Sequence, residues 1–262
     1  MSPNLLLAID IGNSFTHCGL FREKNLIVEM HWPTGKSLKE KVELAYLVSQ
    51  VKDIIIASVA PKEEMKIKAY IKKNFRKRTL SLKDGLRTGL VINYGNAQNP
   101  LGEDRICAAA ACAFYYQKTG IIIDLGTATT ISCVTKEGKF LGGVITPGIL
   151  SSLSFLKRAE RLRPWAEQFL SKTTPLRKIS PPYLAQNTAD GIKNGIYLFI
   201  KSFLEGMVKK IKAEMPQEDV TTFLTGGFSY VYQYILNGID VIDPFLNLRG
   251  LCEIYYLNKL RR

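Results

Sequence analysis

Short apolar runs separated by glycine- and asparagine-containing turns open the chain. Leu5 to Ile9 is almost continuously apolar, as a buried strand reads, and Thr16 to Phe21 and Leu26 to His31 follow across Asp10 to Ser14 and Arg22 to Asn25. Three short strands with tight connections predict an antiparallel meander. A helix-compatible stretch, Leu38 to Val51, then precedes the apolar run Asp53 to Val59, and this alternation of helix and strand is the pattern of an α/β protein. Pro61 to Arg78 predicts a second helix, with Met65, Ala69, Ile71 and Phe75 as a narrow apolar stripe. Ile106 to Tyr116 is so rich in alanine that a helix there could bring its backbone very close to a neighbouring element.

The opening pattern then returns. Gly120 to Asp124 reads as a strand, Leu125 to Thr130 as a turn and Ile131 to Thr135 as a second strand, so that D-x-G-x-x-x-T occurs at Asp10–Thr16 and again at Asp124–Thr130, 114 residues later. This predicts an internal duplication into two related domains, 1–117 and 118–262. The longest helical pattern runs from Thr188 to Met215, with Asn187 as N-cap and Ile192, Ile196, Phe199, Ile200, Phe203, Met207 and Ile211 on the core face. A strand at Thr221 to Leu224, the turn Thr225-Gly226-Gly227, the turn Asp243-Pro244 and a helix from Leu248 to Leu260 complete the pattern.

Composition narrows the class of protein. The 262 residues are 46% hydrophobic and 23% charged, which excludes intrinsic disorder and fibrous architecture. No apolar run approaches the roughly 20 residues needed to cross a bilayer, and the start lacks the charged region and cleavage site of a signal peptide, so a cytoplasmic location is expected. Five scattered cysteines without a C-x-x-C pair, and only two histidines, argue against a disulfide framework or a structural zinc. The formal charge is +13, and residues 62 to 83 carry nine basic side chains against Glu63 and Glu64. That run reads as a solvated helix face, with an electrostatic patch for phosphate-bearing ligands or nucleic acid as the alternative; no aromatic interleaving supports specific readout, and nucleic acid is not the expected partner.

The candidate chemistry lies at the ends of the strands. An acid closing a buried strand, followed by a glycine turn with hydroxyl or amide side chains, suits phosphate: glycine lets backbone N–H groups approach, Asn13, Ser14, Thr16, Thr127 and Thr129 offer donors, and Asp10 can organise Mg²⁺ or its waters. One D-x-G would be an ordinary turn. Two copies, with Thr225-Gly226-Gly227 after a third strand, point to nucleotide binding. Neither G-x-x-x-x-G-K-[ST] nor a dinucleotide-binding G-x-G-x-x-G is present.

The duplicated pattern resembles the acetate kinase, sugar kinase, Hsp70 and actin superfamily, a ribonuclease H-like α/β fold. That resemblance implies two duplicated actin-like ATPase domains with the nucleotide in the cleft between them. Asp10-Ile-Gly12-Asn13-Ser14, Leu101-Gly102-Glu103-Asp104-Arg105, Asp124-Leu-Gly126-Thr127-Ala128-Thr129-Thr130, Gly142-Gly143-Val-Ile-Thr-Pro147-Gly148, Asn187-Thr188, Thr225-Gly226-Gly227 and Asp243-Pro244 through Arg249-Gly250-Leu251 together resemble type III pantothenate kinases, in order along nearly the whole chain.

That family implies ATP-dependent phosphorylation of pantothenate to 4′-phosphopantothenate, the first step of coenzyme A biosynthesis. It implies Asp104 as general base, although an aspartate beside a helix start also serves as a cap. Tyr94, Gly102, Glu103, Asp104, Arg105 and Thr188 correspond to the pantothenate site, with the Arg105 fork suited to a carboxylate. Asp10, Ile11, Gly12, Asn13, Ser14, Phe15, Thr16, His17 and Thr127 correspond to ATP contacts. Asp124 corresponds to the ligand of an activating monovalent cation, K⁺ or NH₄⁺, and could otherwise hold Mg²⁺ through water. Mg²⁺ accompanies ATP, and the family forms homodimers whose pantothenate site is completed across the interface. Two departures stand out. Tyr94 to Asp104 is one residue longer than the family spacing, and Glu103 replaces a residue that is commonly small. A carboxylate there would repel substrate if it faced the site, so Glu103 is expected to point to solvent.

Overall fold

In a computed structural model, the described residues are 5–36, 42–95, 100–171, 183–215 and 219–259. They divide into two compact units. The first comprises residues 1–118, 134–141 and 245–262, and the second comprises 119–133 and 142–244.

The first unit is built on β1 (Leu5–Ile11), β2 (Phe15–Arg22), β3 (Asn25–Pro33), β4 (Asp53–Ser58) and β5 (Leu80–Ser81), in the order β3-β2-β1-β4-β5. β1, β2 and β3 pair antiparallel, as the meander predicts, while β4 runs parallel to β1 in a register that sets Asp10 beside Ala57 and Ile11 beside Ser58. A parallel pair needs a crossover, and α1 (Val42–Gln50) supplies it. Because successive strand side chains alternate between faces, Leu7, Ile9 and Ile11 pack with Leu44, Leu47, Ile67 and Ile71 of α1 and α2 (Pro61–Phe75). Leu6 and Ala8 turn the other way, onto Cys107, Ala110, Leu248 and Leu251 of α3 (Glu103–Ala110) and α8 (Leu246–Lys259).

α2 stops at Phe75, short of the expected Arg78, because Arg76 enters the left-handed region at φ 53° and its N–H bonds back to Lys72. The next residue is thereby released. Lys77 Nζ reaches the carbonyls of Val48, Ser49 and Val51 and caps the end of α1.

The alanine-rich segment begins earlier than its pattern suggests. α3 starts at Glu103, and a π-helical turn continues it over Ala111–Tyr115. Its small residues serve close packing against α8: a Cβ on Gly250 would lie 1.7 Å from the Cys107 carbonyl oxygen. No side chain other than hydrogen fits there. In this unit the short β6 (Val91–Ile92) pairs with Lys139 and Phe140 at the start of β9 (Lys139–Pro147), a strand that the glycine-rich sequence did not predict.

The second unit repeats the hairpin theme with β7 (Thr119–Leu125) and β8 (Ala128–Val134), whose two-residue connection only an antiparallel pair permits. β10 (Val220–Thr225) lies parallel to β7, setting Thr225 beside Asp124, and β11 (Val241–Ile242) flanks it. The core joins Ile121, Ile123, Leu125 and Ile131 to Tyr197, Ile200, Leu204 and Val208 of α6 (Thr188–Glu214). Asn187 caps α6, its side chain accepting from the Asp190 N–H at 2.9 Å as predicted. Of the expected core face of α6, Ile200 is buried and Ile192, Ile196, Phe203, Met207 and Ile211 pack against the core, while Phe199 is 51% exposed; Tyr197, Leu204 and Val208 are buried as well, so the apolar arc is wider than one stripe. α4 (Ile149–Leu156), α5 (Arg163–Ser171) and α7 (Ser229–Tyr232) were not anticipated. No described helix is long and apolar enough to cross a membrane.

Candidate active site

The turn after β1 is held from three sides. The Gly12 N–H donates to the Phe15 carbonyl at 3.0 Å, the Thr34 N–H donates to the Ser14 carbonyl at 2.9 Å, and Thr34 Oγ1 donates to the Gly12 carbonyl at 2.8 Å. Thr34 Oγ1 also meets Thr16 Oγ1 at 3.1 Å. Thr16 is buried with these bonds, Ile11 belongs to the core, and Thr129 is buried as well. Asn13, Ser14 and Phe15 are exposed at the tip. His17 stacks on His31 with centroids 5.5 Å apart, and burial together with that neighbour lowers its pKa to about 4.

Asp10 sits beneath this turn, 8% exposed. Burial, aided by the nearby charges of Asp104 and Glu103, pushes its pKa up to about 7, against the lowering effect of the Asn247 Nδ2 bond to Oδ2 at 3.0 Å. Asn247 Oδ1 is itself buried, with no hydrogen-bond partner among the described residues. A buried carboxylate surrounded by like charge is a place where a cation would be welcome.

The start of α3 holds the substrate candidates. Gly102 is the N-cap, and a Cβ there would fall 2.5 Å from Asp104 Oδ1, so glycine makes room for the carboxylate. Asp104 Oδ1 accepts from the Arg105 N–H at 2.8 Å, satisfying one of the unpaired donors of the first turn. Arg105 is 5% exposed; its guanidinium lies over the rings of Tyr94 and Phe140 at 5.1 and 5.3 Å and donates to the Tyr94 hydroxyl at 3.2 Å. Tyr94 is thus brought to Arg105 despite the extra residue in the intervening segment. Glu103 does not point to solvent. Its side chain accepts from the Ser58 N–H at 2.7 Å and lies 3.8 Å from Lys83 Nζ, because the end of β4 leaves that amide facing α3.

In the second unit Asp124 closes β7 against glycine backbone. A Cβ on Gly226, at φ +87°, would come within 2.4 Å of Asp124 Oδ1, and one on Gly126 within 3.5 Å. Thr127 is exposed at the following tip, and its carbonyl accepts from the Gly148 N–H at 3.1 Å and from Ser151 Oγ at 2.7 Å. Thr188 is exposed at the start of α6, beside a shallow apolar groove lined by Leu156, Ile192 and Ile196. Among the described residues no three acids, histidines or cysteines gather as a metal cluster.

Four participants escaped the sequence. Asn247 lies inside a quoted motif, but nothing in its spacing pairs it with Asp10. Phe140 belongs to the unpredicted β9, Thr34 acts through both its N–H and its hydroxyl just beyond β3, and Ser58 acts through a backbone N–H at the end of β4.

Comparison with known proteins places these features. The chain matches the type III pantothenate kinase family over residues 6–210. It is 33% identical over 270 residues to a type III pantothenate kinase of Bacillus cytotoxicus, covering 98% of this chain and 97% of that one. Among solved structures, a protein described as a Baf family transcriptional activator from Campylobacter jejuni is 20% identical with a TM-score of 0.51, covering 97% of this chain and 99% of that one. The activator of 2-hydroxyisocaproyl-CoA dehydratase from Clostridium difficile, with bound ADPNP, is 12% identical with a TM-score of 0.52, covering 98% and 96%. These distant likenesses show the fold alone, an α/β fold with two mixed sheets.

Proposed function

Since the chain belongs to the type III pantothenate kinase family and is a kinase, we propose that it transfers the γ-phosphoryl group of ATP to the primary hydroxyl of pantothenate, giving 4′-phosphopantothenate for coenzyme A biosynthesis, with Asp104 as general base. The observation that carries the residue assignment is the grouping of Asp10, Asp104 and Arg105 in one unit, each fixed by a separate contact.

In this reading Asp104 accepts the hydroxyl proton as the oxygen attacks the γ-phosphorus in line, and ADP leaves. Arg105 pairs with the pantothenate carboxylate. Its guanidinium is already oriented by the Tyr94 and Phe140 rings, so little side-chain entropy is lost on binding. Gly102 keeps the Asp104 carboxylate unobstructed. The Asp10 to His17 turn and Thr127 offer backbone and side-chain donors to the phosphates. Asp10 would hold Mg²⁺ or its waters, and the ion would supply charge neutralisation at the phosphates. Asp124 would hold K⁺ or NH₄⁺. We further propose that the chain acts in the cytoplasm as a homodimer that completes the pantothenate site across its interface. The exposed Phe155 and Phe199 of α4 and α6, and the apolar groove at Thr188, support an apolar contact.

The test is phosphate transfer from ATP to pantothenate with Mg²⁺, in K⁺ or in Na⁺. Product that requires K⁺ supports the kinase reading and the cation site together; product in both salts keeps the substrate and removes Asp124 from its role. No product from the folded protein in either salt would redirect the search to other hydroxyl acceptors.

A further inference from the structure

The basic segment that composition singles out is not uniformly solvated. Lys68 pairs with Glu64 at 2.8 Å, Lys83 with the same Glu64 at 2.7 Å, and Ser81 Oγ donates to Glu64 Oε1 at 2.7 Å. Glu64 is 4% exposed. This chain of polar contacts leads from α2 across β5 to Lys83, and Lys83 lies 3.8 Å from Glu103. Glu103 in turn takes the Ser58 N–H at 2.7 Å. The network therefore ends one residue before Asp104, on the side chain that departs from the family pattern.

Ser58 is the last residue of β4, paired with Ile11, next to Asp10. A bond from its N–H to Glu103 ties the first turn of α3 to the strand that flanks Asp10. The helix N-cap provides no such tie, since Gly102 has no side chain and makes no cap bond. Resting on the kinase reading above, we propose that Glu103 is a positioning residue: it anchors the start of α3 to the Ser58 amide and so sets where the Asp104 carboxylate stands, with Lys83 and Glu64 holding the anchor in place. Reach, rather than negative charge, is its operative property. The carbonyl oxygen of glutamine can accept the same N–H, while aspartate keeps the charge and falls short by one methylene.

The experiment compares Glu103→Gln, Glu103→Asp and Glu103→Ala with wild type, measuring kcat, KM for each substrate and thermal midpoint. Expected is a kcat for Glu103→Gln within about threefold of wild type and a loss of about tenfold or more in Glu103→Asp and Glu103→Ala, with KM for MgATP unchanged. A structural role alone would lower the thermal midpoint without this kcat pattern. Should Glu103→Ala fail to fold, the Gln and Asp pair decides the matter. An Asp variant as active as wild type, or a Gln variant as impaired as Ala, overturns the proposal, and a raised KM for pantothenate with kcat intact would instead make Glu103 a substrate contact. A wild-type chain inactive on pantothenate sinks the substrate reading and this inference with it, whereas an active wild type with indifferent variants sinks the inference alone.

Discussion

Asp10 and Asp124 occupy the same place in two related hairpins and live in opposite surroundings. Each stands next to the end of its strand, opens a D-x-G turn and lies beside a parallel partner, β4 for Asp10 and β10 for Asp124. Asp10 is enclosed by side chains, with Asn247 on its Oδ2 and the charges of Asp104 and Glu103 nearby. Asp124 is half-buried and enclosed by backbone, with Gly226 directly against its carboxylate. The two hairpins thus share the turn and differ in what lines it.

The largest effect that would separate the copies is in the first unit. Asp104→Asn is expected to lower turnover by about 10² or more while leaving MgATP binding by calorimetry nearly unchanged, the signature of a lost general base. Near-normal turnover would remove Asp104 from that role. The corresponding weak point of the second unit is steric. Gly226→Ala forces a side chain at φ +87° into Asp124 and the Leu125 backbone and should destabilise by more than about 2 kcal/mol in thermal unfolding. Gly12→Ala meets only the Phe15 carbonyl, at 2.8 Å, without a positive φ, and should cost less. An equal or larger loss at Gly12 would contradict the contrast drawn between the two turns.

Titration adds a second contrast, within the first unit. The folded pKa of Asp10 is raised to about 7, so its contribution to stability is present at low pH and is lost as pH rises through that value. His17 is depressed to about 4, so its contribution is present above the unfolded histidine value and is lost as pH falls toward 4. Between these limits the two slopes oppose each other and flatten the wild-type profile. Asp10→Asn should unmask a stability that rises with pH between about 4 and 6.5, and His17→Gln one that falls, each by roughly 3 kcal/mol at most; chemical denaturation across that range is the measurement. Parallel curves for wild type and both variants would show that neither group titrates abnormally. The smallest effect is expected at Asn187→Ala, which removes the α6 cap and should cost about 1 kcal/mol without altering turnover.

Sequence reading succeeded where a local rule decides the outcome. Alternating or continuous apolar runs fixed β1, β2, β3, β4 and β7, and an asparagine before a long periodic stretch fixed the start of α6. It failed where a distant partner decides. Gly142, Gly143 and Pro147 look like a loop, yet β9 forms because its edges are paired by neighbours the local pattern does not mention. Glu103 looks like a solvated charge because its acceptor role depends on an amide 45 residues away. The aspartates themselves were legible from the motif, whereas Asn247, which sets the environment of one of them, belongs to the last helix and became visible only with the packing of α8.

The contact between Gly250 and Cys107 gives α3 and α8 a shared pivot. Asp104 lies three residues before it on one helix and Asn247 three residues before it on the other, about one helical turn in each case. A side chain wedged at the pivot would therefore displace both groups at once, like two hands on a single axle. Drift at position 250 should consequently cost cohesion and alignment together, since the backbone clash that forces α3 from α8 also moves Asp104 and Asn247.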